Sequence, residues 1–381
     1  MGALAASWEA RTTSPERVAS AFAQACAQIK NPSGALVFVS GALAAGVETV
    51  TRALGAVQLP CPVVVVGGNG VLTERGEIEE QAAATGVVWA GGRMEVVPIE
   101  PDADGEVGDS LARVLGDRTG KTAPTVLLFL ESNAFGPASA APLQDLRVTR
   151  YLFGGGTIGQ PGAAALSPDG TLVTGSLALI IRGLSAPAIR TAHSCRLLGP
   201  LRPITACRGT LLEEIDGQPA LDVLAECGEH LPDRQLLLLA LADEEGSEAT
   251  ESRRPPLIVR GIQGVDPDRR SLVLSEQLRP GMRVAFAVRD AHAARDDLEA
   301  MTRELERDIA GAAPRFGLYV NCAGRGSALY DAPDVDTKIL RSRFPGVPFA
   351  GVASAFEIAP HFGRPALQLY TGVFALFTSP S

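Results

Sequence analysis

Short apolar runs that stop at glycine recur along this chain, and no other feature constrains its fold as tightly. Residues 62–66 lead into Gly67-Gly68, 151–153 into Gly154-Gly155-Gly156, 257–260 into Gly261, and 349–350 into Gly351. Such runs are too short to span a membrane, and in an apolar core their backbone has to be satisfied by a ladder. Each therefore reads as a buried strand ending in a tight turn. The same order of elements surrounds each run: amphipathic helix, apolar strand, connection, apolar strand ending in glycine, and a β-rich return.

The pattern predicts an α/β chain of mixed β-sheets with covering helices, built as four related strand-helix-strand-hairpin units. The first has helices at 15–29 and 47–54 and strands at 35–39, 62–66 and 85–90. The second has helices at 108–115 and 142–148, strands at 125–130 and 151–153, and a return over 171–182. The third has a helix at 220–227, strands at 236–241 and 257–261, and a hairpin of 271–275 with 282–288. The fourth has helices at 290–310 and 335–342, strands at 318–321 and 349–350, and a return over 366–377. A length of 381 residues exceeds what one core usually fills, so two domains are expected. Ser185-Ala186-Pro187 interrupts the apolar return, which divides the chain into 1–190 and 191–381. The acidic run 243–248 reads as an exposed hairpin tip.

A net charge of −9 without a concentrated Lys/Arg cluster argues against nucleic acid as a partner, because phosphate neutralisation needs local positive charge. No apolar run reaches spanning length and the N-terminus lacks a basic region followed by a long apolar core, so a soluble cytoplasmic protein without a membrane partner is expected. The six cysteines and four histidines are scattered without metal-ligand or disulfide-framework spacing. Reduced thiols, no metal and no cofactor are the reading. Gly154-Gly155-Gly156-Thr157-Ile158-Gly159 fits a dinucleotide-binding spacing, but Gln160-Pro161-Gly162 and Ser167-Pro168-Asp169-Gly170 leave little room for the required helix. No acid follows at the ribose distance.

Four motifs in order resemble the FIST family, whose N- and C-terminal domains are sensory modules of bacteria and of some F-box proteins. They are 63–71 with Gly76-Glu77-Ile78-Glu79, then Leu198-Gly199-Pro200 with 213–221, then 321–326, and last 344–351 before Glu357-Ile358. The match covers nearly the whole chain. Where the family often carries Gly-Glu-Ile-Gly-Pro, this sequence has Phe356-Glu357-Ile358-Ala359-Pro360. The resemblance implies a sensory or signal-transduction protein that binds a small polar metabolite, such as an amino acid or related small carboxylate, and passes its output to a separate signalling protein.

Asn321-Cys322-Ala323-Gly324-Arg325-Gly326 follows an apolar strand and carries the main site expectation. Glycines let the backbone approach a ligand, a guanidinium presents a planar fork, and an asparagine offers both donor and acceptor. Asn321, Cys322, Gly324, Arg325, Gly326, Gly351, Glu357 and Tyr370 are the candidate ligand-binding residues. Arg325 alternatively pairs with Asp331 or Asp334, Asn321 alternatively caps the turn, and Cys322 alternatively packs as a small core residue. Glu77 and Glu357, each followed by isoleucine, are expected to share a role, either bracing a turn through its amides or facing a ligand amine, with bracing preferred for Glu77. An enzyme using Cys322 with Asp336, Glu357 or His361, and a protein–protein adaptor without a metabolite ligand, are the competing function classes. No residue is assigned as catalytic.

Overall fold

The computed structural model describes residues 3–100, 124–133, 151–228, 236–242, 257–361 and 364–379. They form two compact units. The first comprises Met1–His193, Arg295–Leu367 and Thr371–Ser381, and the second Ser194–Ala294 with Gln368–Tyr370.

Three six-stranded sheets build the first unit. The first runs Ala5–Arg11, Ala83–Ala90, Pro32–Ser40, Val63–Gly67, Ala163–Leu166, Leu172–Thr174. The second runs Arg93–Pro98, Leu177–Arg182, Thr125–Glu131, Leu152–Thr157, Glu357–His361, Arg364–Gln368. The third runs Ala188–His193, Thr371–Thr378, Pro314–Cys322, Phe349–Ser354, Gly70–Thr73, Gly76–Glu79. All three share one plan, namely an edge strand, a return strand, a central parallel pair, and a hairpin supplied from elsewhere in the chain.

The hairpins circulate. After its parallel pair, the first sheet's chain crosses to the third sheet to add Gly70–Thr73 and Gly76–Glu79. The second sheet's chain crosses to the first, and the third sheet's chain to the second. The crossings are tied to one another through backbone bonds from Ile158 N to Gly67 O (2.9 Å), Asn69 N to Ala353 O (2.9 Å) and Gly156 N to Phe356 O (2.8 Å). Here lies the reason the first apolar run ends in glycine: a Cβ on Gly67 would collide with Ile158 O, and one on Gly68 with Val352 Cγ2.

One apolar core draws on all three sheets, including Leu36, Phe38 and Val64 of the first, Leu127, Phe129 and Phe153 of the second, and Phe316, Leu318 and Val352 of the third. Sheets buried on both faces read as unbroken apolar runs, which is why these strands were legible. The outer face of the first sheet is covered by helix Pro15–Cys26, capped by Ser14 Oγ on Arg17 N, and by helix Val47–Gly55. Leu298, Met301 and Leu305 of helix Ala291–Asp308 and Leu340 of helix Val335–Arg343 pack with Tyr319, Phe349 and Phe374 on the outer face of the third. The helices expected at 108–115 and 142–148 and the acidic run 243–248 lie outside the described residues.

The second unit is an antiparallel ring. Arg283–Arg289 pairs with Arg202–Arg208 and, on its other side, with Leu237–Ala242; Leu211–Ile215, Ser271–Leu274 and Ile258–Asp266 complete the circuit. Its core holds Ile204, Leu212, Leu239, Leu241, Leu272, Val284 and Phe286, with Ala220 and Val223 of helix Ala220–Gly228. The expected third repeat is therefore corrected. Its strands Leu237–Ala242 and Ile258–Asp266 pair antiparallel, whereas the corresponding pairs of the other three repeats are parallel. Among the described residues three repeats, not four, share the exchanged-hairpin plan. Pairing direction is a long-range property that an apolar run does not encode.

Candidate functional site

The third sheet places the candidate site at the carboxyl ends of Pro314–Cys322 and Phe349–Ser354, where open α/β sheets characteristically bind ligands. Register sets Asn321 opposite Ala353, Ala353 opposite Gly70, and Gly70 opposite Glu79. The row before it is Tyr319, Gly351, Leu72 and Glu77. Tyr319 and Leu72 pack under the covering helices, so by strand alternation both rows face outward from the shared core.

The turn after Asn321 is fastened at both ends. Ala323 N donates to Ser354 O (2.8 Å), Arg325 N to Cys322 O (2.8 Å), Gly324 N to Cys322 Sγ (3.4 Å), and Ser327 N to Glu79 Oε1 (3.0 Å). Gly326 adopts φ +68, and a Cβ there would run into Glu79 Oε1. Gly326→Ala is accordingly expected to destabilise the protein by about 1–3 kcal/mol, combining left-handed strain with loss of the Glu79 contact. Urea unfolding of the variant checks this, and an unchanged midpoint would contradict it.

Arg325 is fully buried in a hydrogen-bonded network. Its Nε and Nη2 reach Asp336 Oδ2 and Oδ1 at 2.7 and 2.9 Å, and Nη2 also donates to Tyr330 OH at 2.6 Å. Tyr330 OH donates to Asp336 Oδ1 (2.7 Å) and Tyr319 OH to Asp336 Oδ2 (2.8 Å). Burial by itself would raise the Asp336 pKa, but Arg325 and the hydroxyl donors more than reverse it and hold the carboxyl below its ordinary range. Burial likewise opposes the Arg325 charge, and Asp336 more than offsets it. Asp336 takes the place the sequence reading gave to Asp331 or Asp334 as the ion-pair partner. Asp336, Tyr319 and Tyr330 were not read as a cluster, because a partner eleven residues away is brought in only by the docking of helix Val335–Arg343.

Glu357 opens the hairpin strand Glu357–His361 in the second sheet and is wholly buried. Its Oε2 accepts from Thr371 N (3.1 Å) and Thr371 Oγ1 (2.6 Å), and its Oε1 lies 3.0 Å from Ser354 Oγ. Ser354 Oγ is also 3.0 Å from Asn321 O. One hydroxyl proton cannot serve both acceptors, so with Ser354 donating to Asn321 O the carboxyl proton of Glu357 completes the second bond. Burial pushes the Glu357 pKa up to about 8, consistent with a protonated group at neutral pH. Glu77 is half-buried and is raised to about 7 by burial first and then by Asp336, with Thr337 N donating to its Oε1 at 3.2 Å. The two glutamates occupy different strands of their hairpins, Glu357 the first and Glu77 the second, although each accepts a backbone N–H.

Cys322 is half-buried at the strand end. Gly351 lies within the sheet, where a Cβ would collide with Tyr319 O and come within 2.8 Å of Leu72 Cδ1, which gives this glycine a packing role. Tyr370 belongs to the second unit and precedes the final strand at φ +59. There its carbonyl accepts from Ser194 N and Oγ, and the Arg289 guanidinium carbon sits 5.7 Å from its ring centroid. Asn321, Cys322, Gly324, Arg325 and Gly326 thus gather at one end of the third sheet, with Gly351 beneath them. Among these, Asn321 is only 4% exposed and its Oδ1 has no hydrogen-bond partner.

Mixed sheets with covering helices and a polar turn at the carboxyl end of a parallel pair make this a mixed α/β protein. The FIST N domain matches residues 6–218 and the FIST C domain residues 220–360, so the chain belongs to the FIST family, whose domains are small-molecule sensory modules. It is similar to the "Uncharacterized protein Mb0898c" of Mycobacterium bovis, at 28% identity over 336 residues covering 84% of each chain. It is also similar to the "Uncharacterized protein Rv0628c" of Mycobacterium tuberculosis, at 27% over 341 residues covering 85% of this chain and 86% of the other. Among the described residues no helix is long and apolar enough to cross a membrane.

Proposed function

We propose that this protein is a sensor that binds a small polar metabolite of the amino-acid class at the carboxyl end of the third sheet and signals through a separate protein. The observation that carries the reading is the buried Asn321 Oδ1 without a partner, beside a glycine-containing turn fastened at both ends. A buried acceptor left unpaired costs on the order of 1–3 kcal/mol, a cost that a bound donor removes. Asn321, Cys322 and Gly324 form the rim of this seat, and Gly326 and Gly351 shape it. Arg325 acts from behind them, holding the turn through Asp336. Binding shifts the population toward the conformation with higher ligand affinity, and the partner reads that conformation.

Isothermal titration with the twenty common amino acids tests the proposal. Saturable binding of at least one, at one site per chain, is expected; heats indistinguishable from dilution for all of them would overturn it.

A further inference from the structure

The edge strand Gly76–Glu79 of the third sheet holds the segment that follows the site turn, and it does so through carboxylates. Glu77 and Glu79 alternate with Ile78 and so project from one face of the strand. Glu79 Oε1 and Oε2 accept from Ser327 N at 3.0 and 3.2 Å, at the start of the short helix Ser327–Tyr330. Glu77 Oε1 accepts from Thr337 N at 3.2 Å, at the start of helix Val335–Arg343, and Asp334 Oδ1 accepts from Glu77 N at 2.7 Å. Three carboxylates thus pin residues 327–337 to one short strand. The pinned backbone is strained, with Asp331 at φ +49 and Asp334 at φ +61. Left-handed residues other than glycine persist only where surrounding contacts hold them.

The same acids repel one another. Glu77 faces Glu79 on its own strand, Asp334 and Asp336 at the start of the helix, and the Tyr330 hydroxyl. A Cβ on Gly326 would meet both Glu79 Oε1 and Glu77 Oε2, so the bare glycine lies between the two carboxylates. Bases of the surrounding elements are engaged elsewhere: Arg325 with Asp336, Arg295 over the Tyr330 ring, Lys338 on Pro333 O, Arg341 on Glu74 O, and Arg75 beside the Glu74 carboxylate. Thr337 N and the helix start favour a charged Glu77, but burial and the three acids outweigh them and raise its carboxyl to about 7. A proton on Oε2 removes the repulsion and leaves Oε1 accepting from Thr337 N.

We propose that residues 327–337 form a pH-sensitive latch, closed on Gly76–Glu79 while Glu77 is protonated and loosened when it ionises. Once the segment opens, Glu77 meets water and titrates near its ordinary 4.5, so the closed form is the one that keeps the proton. The advantage of closure is therefore full below about pH 4.5 and is lost as pH rises through about 7. Ser327 directly follows the turn that shapes the seat, so the latch regulates how firmly that turn is held; this consequence rests on the sensor reading, whereas the latch does not.

Hydrogen exchange of the ligand-free full chain tests it. Peptides spanning 325–338 are followed by mass spectrometry and corrected for intrinsic exchange, with the central strand Pro314–Cys322 as the reference for global opening. Wild-type protection over 325–338 is expected to fall roughly tenfold or more, relative to that reference, between pH 5 and 7. Glu77→Gln keeps an acceptor for Thr337 N and cannot ionise, so its protection should stay level across the range. Glu79→Gln keeps an acceptor for Ser327 N and removes one like charge, so its fall should be smaller and end at lower pH. Protection that is level with pH in wild type, or that falls as far in Glu77→Gln, would overturn the latch. The sensor reading would then still stand, because no ligand enters the measurement; heats of dilution alone from all twenty amino acids would overturn that reading and leave the latch.

Discussion

Asp336→Ala is expected to destabilise the first unit by about 3–5 kcal/mol, the usual cost of removing one partner from a buried ion pair. The figure follows from what remains. Arg325 would keep a full charge in an environment without solvent, and the Tyr319 and Tyr330 hydroxyls would each lose their acceptor on Asp336. Asp336→Asn is expected to be nearly as damaging, because it keeps the volume but withdraws the charge that offsets Arg325. Replacing both members, Arg325→Met with Asp336→Leu, should recover much of the loss, since neither unpaired charge remains. Urea unfolding followed by far-UV circular dichroism measures all three. A loss below about 1 kcal/mol for Asp336→Ala would show that the network is not a stabilising strut.

Glu357 makes the second large prediction, with the opposite electrostatic sign. Its folded pKa, pushed up to about 8 by burial, lies above the ordinary value of 4.5. Between those values the folded state holds a proton that the unfolded chain has released. This group's contribution is therefore most favourable below about pH 4.5 and declines as pH rises toward about 8, by an order of magnitude of a few kcal/mol. Glu357→Gln keeps an oxygen for Thr371 N and Oγ1 and cannot ionise. The variant and wild type should melt at similar temperatures near pH 5, and the variant should melt several degrees higher near pH 9. Parallel Tm curves across that range would mean that Glu357 does not change protonation on folding. Asp336 acts in the other direction: its depressed pKa supplies stability above the unfolded value that is lost as pH falls toward the folded one.

Local and short-range features of the fold were legible in the sequence. Val18, Phe22 and Ala25 at helical spacing announce the helix expected at 15–29, which the structure ends at Cys26, and Val63 to Val66 can hardly be anything but a buried strand. The identity of each hairpin's host sheet was not legible. Gly70–Thr73 follows Val63–Gly67 by three residues yet joins the third sheet, beside Phe349–Ser354. Nothing in a four-residue strand specifies a partner nearly three hundred residues away; the collision that a side chain at Gly67 or Gly68 would cause is visible only when the crossing chains are in place. The second unit misled for a related reason, since Leu237–Ala242 has the apolar run of a parallel strand but lies in an antiparallel ring.

At the candidate site, residue types were readable and their commitments were not. Asn321 at the end of an apolar strand stood out as a residue able to offer both donor and acceptor, though its burial was not foreseen. Arg325 looked like a ligand fork because glycines flank it in a motif that follows an apolar strand, with Asp331 or Asp334 as the alternative partners. Its engagement with Asp336 and Tyr330 depends on the short helix Ser327–Tyr330 and the helix Val335–Arg343 docking on the sheet, a tertiary event.

Native mass spectrometry of gently purified protein, comparing wild type with Asn321→Leu, tests the central claim most directly. The account predicts that wild type carries a small polar metabolite of the amino-acid class at one copy per chain and that Asn321→Leu, equally folded, does not. Wild type without any retained species, and unable to acquire one from a metabolite extract, would contradict it.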